Sequence, residues 1–141
     1  MNKVGYIKFT VPTMFLQDID FYVVYKKNYN QSKMIKEIAN KYGDEVADVV
    51  DGNNKFGATT SYLDGSNGHR RYLVIIYPFD NRIVFQDVVS HEIAHVSTGI
   101  FTHVGCGVDS FTEEPYAYLV GYITRKFYEN YYKLTSRKRG K

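Results

Sequence analysis

Apolar positions along this chain follow two periods, and the switch between them divides it into elements. Val4 to Val11 and Ile19 to Tyr25 are rich in β-branched and aromatic residues with loose alternation, which predicts two strands, the first ended by Pro12. Asn28 to Ser32 is turn-like. Asn30 or Ser32 there can cap a helix carried by Met34, Ile35, Ile38 and Ala39 and stopped by Gly43. Glu45 to Val50 fits a short helix or a strand equally, because so short a run does not fix a period. The turn Asp51-Gly52-Asn53-Asn54 leads to two β-rich runs, Phe56 to Leu63 and His69 to Phe79, joined by Asp64 to Gly68 as a hairpin. Tyr72 to Tyr77, almost continuously apolar, has the pattern of a central strand covered on both faces, and Pro78 closes it.

Helical spacing takes over from Arg82 to about Ile100. A glycine-bearing loop follows from Phe101 to Asp109, then a last helix from near Thr112 to about Leu134. Thr112 can cap that helix, Glu113 and Glu114 suit its positive end, and Pro115 falls in the first turn, where its missing N–H costs little. No repeat, low-complexity stretch or linker interrupts the chain. The expectation is one α+β domain over residues 1–141 with a small mixed or antiparallel sheet and about three helices, ending in a basic, frayed tail over 136–141.

The central helix carries the chemistry: His91-Glu92-Ile93-Ala94-His95. Residues four apart share a helix face, so the two imidazoles point the same way and can hold Zn²⁺. The Glu beside the first His can act as general base on a metal-activated water. The bland alternative is a helix that happens to carry two surface histidines. Catalytic zinc takes three protein ligands and keeps one open position, so a third is needed. The long metzincin pattern would put Gly and His where Thr98 and Phe101 stand, and it fails. His103, Glu113 and Glu114 are the candidates. Glu113 stacks with the bulky stripe Tyr116, Val120, Ile123 and Phe127. Glu114 stacks with Ala117, Gly121 and Arg125, a small face that lets a neighbouring helix approach, and it is preferred on that ground.

His91-Glu92-Ile93-Ala94-His95 followed by Glu114-Pro115-Tyr116-Ala117-Tyr118 resembles a minimal zincin of the gluzincin type, such as the short metallopeptidase-like domains associated with phages and mobile elements. The resemblance covers roughly Tyr72 to Phe127. It implies a zincin-like α+β fold with one Zn²⁺ per chain held by His91, His95 and Glu114. It also implies Glu92 as catalytic base and hydrolysis of a peptide bond in a peptide or protein substrate. Larger gluzincins often carry an Asp four residues after the ligand Glu to orient the first His; here that position is Tyr118, so the support of that ring must differ. Tyr118, Tyr122 and His103 are candidate donors to the oxyanion. One arm of the Phe56–Phe79 hairpin could align an extended substrate by strand addition. The competing expectation is a zincin-fold binding or structural protein that holds zinc without proteolysis.

Bulk properties narrow the picture a little further. Fourteen Tyr and nine Phe with no Trp suit cores near polar sites and contact surfaces. The net charge of +3 comes partly from the tail, and no nucleic-acid-binding module is recognisable. Cys106, the one cysteine, excludes an internal disulfide and fits a reducing compartment; it is read as structural. The N-terminus lacks a signal-peptide h-region and no segment has the length of a membrane span, so the expected location is cytoplasmic.

Overall fold

A computed structural model describes residues 4–15, 17–52, 57–63, 70–77 and 81–139, of which 49–52, 57–63 and 137–139 are described by their backbone alone. The strands are β1 (Tyr6–Val11), β2 (Ile19–Val24), β3 (Gly57–Leu63) and β4 (Arg70–Ile76). The helices are α1 (Gln31–Tyr42), α2 (Asp44–Gly52), α3 (Arg82–His103) and α4 (Glu113–Arg139). The fold is α+β, built on a mixed sheet in the order β1-β2-β4-β3. The outer pairs β1–β2 and β3–β4 are antiparallel, while β2 and β4 run parallel, with Phe21 opposite Val74.

Strand alternation divides the core into two layers. Ile19, Phe21 and Val23 of β2 and Tyr72, Val74 and Ile76 of β4 face α3 and α4, whose Ile93, Val96, Ile100, Ile123 and Phe127 complete that layer. Asp20, Tyr22 and Val24 with Leu73, Ile75 and Tyr77 face the opposite way, where Met34, Ile38 and Ala47 of α1 and α2 cover them. β4 is thus covered on both faces, as its unbroken apolar run implies.

Caps set the helix starts. The Asn30 side chain accepts from the Lys33 N–H, and the Asn81 side chain accepts from the N–H groups of Ile83 and Val84. Three boundaries differ from expectation. The ambiguous Glu45–Val50 run belongs to a second helix, α2, packed beside α1, so the described residues form four helices rather than about three. The motif helix continues through His103. α4 continues through Arg139, so most of the expected frayed tail is helical. The expected hairpin turn at Asp64 to Gly68 and the strand end at Pro78 lie outside the described residues. Among the described residues no helix is long and apolar enough to cross a membrane.

One polar network penetrates the α1 side of the sheet. Asp20, 3% exposed, accepts from the hydroxyls of Thr10 and Tyr42 and pairs with Arg71 at 3.1 Å and Lys41 at 3.2 Å. A single carboxylate so ties β1, β2, β4 and the end of α1 together, each lone pair answered by a donor.

Candidate metal centre

α3 buries Val89, Ile93, Val96 and Ile100 against the sheet, and this fixes the rotation of everything else on it. His91 and His95 consequently face solvent on the opposite side. Their Nε2 atoms lie 3.1 Å apart, with the rings edge to face. At that distance one imidazole N–H donates to the bare nitrogen of the other. Two nitrogens each 2.0–2.1 Å from a zinc ion and 3.1 Å from one another subtend an angle of about 100° at the metal, close to tetrahedral. The pair therefore fits two neighbouring corners of a zinc site.

Glu92 is rotated about 100° from His91 around the helix. It is 6% exposed, on a flank of α3 adjoining the imidazole face. Thr98 continues the outer stripe of His91 and His95 one turn further, and its Oγ1 lies 3.1 Å from the hydroxyl of Tyr116 on α4. Tyr116 also packs edge-on against Phe101, while Phe85 near the start of α3 meets Phe127 and Tyr131. α3 and α4 are therefore antiparallel neighbours, joined along the Tyr116–Phe127–Tyr131 side of α4.

That packing bears directly on the third ligand. The small face of α4 does not receive α3. Ala117 and Gly121 line an outer groove with Met14 and Phe15, and Glu114 lines it with them. Glu113 instead shares a hollow with Tyr116, Val120, Val108 and Asp109, and Ala117 lies on the border of both. α3 rests on bulky aromatic residues because ring-on-ring packing fills the space above the sheet, and the small residues are left outside. Among the described residues no three His, Cys, Asp or Glu side chains come together closely enough to hold a metal ion. The structure brings His91 and His95 together, and brings neither Glu113 nor Glu114 to them.

His103 lies in the last turn of α3, eight residues beyond His95 and so about 12 Å along the axis. Its Nδ1 lies 2.7 Å from the Gly99 carbonyl and 2.8 Å from the Tyr72 hydroxyl. A carbonyl only accepts, so Nδ1 carries the proton. Burial pushes the Tyr72 hydroxyl up to about 12. Of the other expected oxyanion donors, Tyr122 donates to the Pro12 carbonyl and Tyr118 stands 75% exposed beside the outer groove. Tyr116, the aromatic hydroxyl that reaches the stripe of His91, His95 and Thr98, was not among them. Its signal in the sequence is the three-residue step from Glu113, which places both on one side of α4.

The loop between α3 and α4 is held by Asp109. Its carboxylate accepts from the backbone N–H groups of Phe111 and Thr112, and these bonds hold its carboxyl below the usual range. By sequence Thr112 is the side-chain cap of α4. Its hydroxyl bonds back to the Gly107 carbonyl instead, and its carbonyl accepts from Tyr116 in the first turn. Cys106 is exposed in this loop.

Compared with protein-family models, curated proteins and solved structures, the chain gives no match.

Proposed function

We propose that this chain is a zincin-like, zinc-dependent peptide-bond hydrolase. The observation that carries the reading is the 3.1 Å convergence of His91 and His95 on the open face of α3, beside Glu92. In this reading His91 and His95 supply two ligands and the carboxylate pair at the head of α4 supplies the third. Glu114 is the choice from sequence. The shared side of Glu113 and Tyr116 supports Glu113 instead. Either needs the start of α4 to close on α3. One Zn²⁺ bound there would act as a Lewis acid, acidifying water and polarising the scissile carbonyl.

Glu92 takes a proton from the attacking water as its oxygen bonds to the carbonyl carbon. The same proton passes to the amine nitrogen as the C–N bond breaks. Tyr116 is the hydroxyl best placed to steady the oxyanion, one turn beyond His95. β3 pairs only with β4 among the described strands and lies beneath α3, so its free edge suits an extended substrate added as a further strand.

The reading is tested with zinc content and cleavage of a mixed peptide library, for wild type and Glu92→Gln. Zinc in both and cleavage in wild type alone is the expected result. Equal profiles with zinc bound in both would remove Glu92 as base and favour the second reading, a zincin-like protein that binds without hydrolysing. The exposed apolar groove on the outside of α4, with Met14 and Tyr118 at its border, favours that second reading.

A further inference from the structure

Gly121 sits in the middle of α4, where glycine costs helix stability relative to alanine. A Cβ there would meet no atom within 4 Å among the described residues, so packing within them does not require it. Gly99 is the contrasting case, since a Cβ there would stand 2.7 Å from the Tyr72 hydroxyl. Gly121 is thus a vacant position on the outer face of α4. Around it runs a groove of about 900 Å³ on the outer face of α4, bordered by Met14, which is 86% exposed, and by Tyr118 at 75%. Glu114 and Arg125 stand at its two ends, both exposed.

These residues complement themselves. Glu114 and Arg125 are eleven residues apart, about three turns, and so lie on one side of the helix. Laid against a second α4 running the opposite way, with the two-fold axis passing between Leu119 and Val120, Glu114 falls opposite Arg125 of the other copy. The same register sets Tyr118 over the other copy's Gly121, a large side chain over a vacant site, and repeats both pairs by symmetry. One register satisfies charge and size together.

We propose that the outer face of α4 is a self-association surface on which two copies pack their α4 helices antiparallel. Met14 and Phe15 border the pairing and widen the apolar area it covers. This use of Glu114 leaves Glu113 for the His pair, and the interface does not depend on the metal reading.

Sedimentation equilibrium from about 1 µM to about 500 µM tests it, with zinc content read on the same samples to keep the metal site a separate question. Wild type is expected at twice the chain mass in the upper range. Arg125→Glu and Glu114→Arg should each weaken association at least about tenfold, by setting like charges against one another. The double reversal Glu114→Arg/Arg125→Glu should return it to within about threefold of wild type. Gly121→Leu should abolish it with circular dichroism unchanged, because the monomer has room for the side chain. A monomer across the whole range would overturn the proposal. So would a dimer insensitive to Gly121→Leu, or one that the double reversal fails to restore.

Discussion

The hydroxyl of Tyr72 occupies the space that a side chain at Gly99 would need, 2.7 Å from the position of its Cβ. This close approach lets α3 lie down on β4 just beyond His95, and it brings the same hydroxyl within 2.8 Å of His103. The height of the motif helix above the sheet is set there. Gly99→Ala should lift α3 or displace the Tyr72 ring, destabilising the fold by about 1–3 kcal/mol. Denaturant unfolding of the variant against wild type measures it, and an unchanged midpoint would mean the contact is not constraining.

Asp20 should give stability a distinct acid limb. Burial by itself would raise its carboxyl, but hydrogen bonds from Thr10 and Tyr42 and the charges of Lys41 and Arg71 outweigh it and hold the group below its ordinary value. A carboxyl lowered in the folded state contributes stability that is complete above its unfolded pKa of about 3.9 and is lost as pH falls through the folded value. Asp20→Asn should therefore cost about 3–5 kcal/mol near neutrality, as for a broken buried pair, and the difference from wild type should shrink below about pH 4. Unfolding curves for both proteins between about pH 2 and pH 7 check the sign.

The two histidines and the glutamate between them should separate by readout. His95→Ala is expected to lose zinc together with whatever thermal stability the metal adds. Glu92→Gln should keep zinc and lower any peptide cleavage by at least about 10²-fold. Elemental analysis, melting temperature and a peptide-library digest on the same preparations distinguish them. A wild type that takes up no zinc when it is supplied, with its fold intact, would remove the metal site altogether.

The head of α4 offers a test of one residue against its neighbour. Glu113→Ala should weaken zinc binding more than Glu114→Ala does, because Glu113 shares the hollow with Tyr116 and Glu114 the outer groove. Competition with a metallochromic chelator gives the two affinities. The opposite order would mean that α4 turns on its axis when metal binds, bringing its small face inward.

Much of this architecture is local, and local signals are legible. The strands from Tyr6, Ile19 and Arg70, the cap at Asn30 and the stop at Gly43 each follow from propensity, turn chemistry or period within a few residues. The pairing of His91 with His95 is of the same kind, since four residues on a helix fix the juxtaposition whatever surrounds it. The short run after Gly43 was not legible. It forms a helix with its apolar Ala47 in the layer under the sheet, and no period can be read from so few residues.

Tertiary packing alone decided which flank of each helix turned inward. A helical stripe shows which residues share a side, but not which neighbour that side will meet. In α4, Tyr116, Phe127 and Tyr131 met α3 because aromatic rings fill a gap above a twisted sheet that Ala117 and Gly121 would leave empty. That choice moved Glu114 to the outside and brought the Tyr116 hydroxyl to Thr98. The sequence determined that two imidazoles converge; the density of packing between distant elements determined what stands around them.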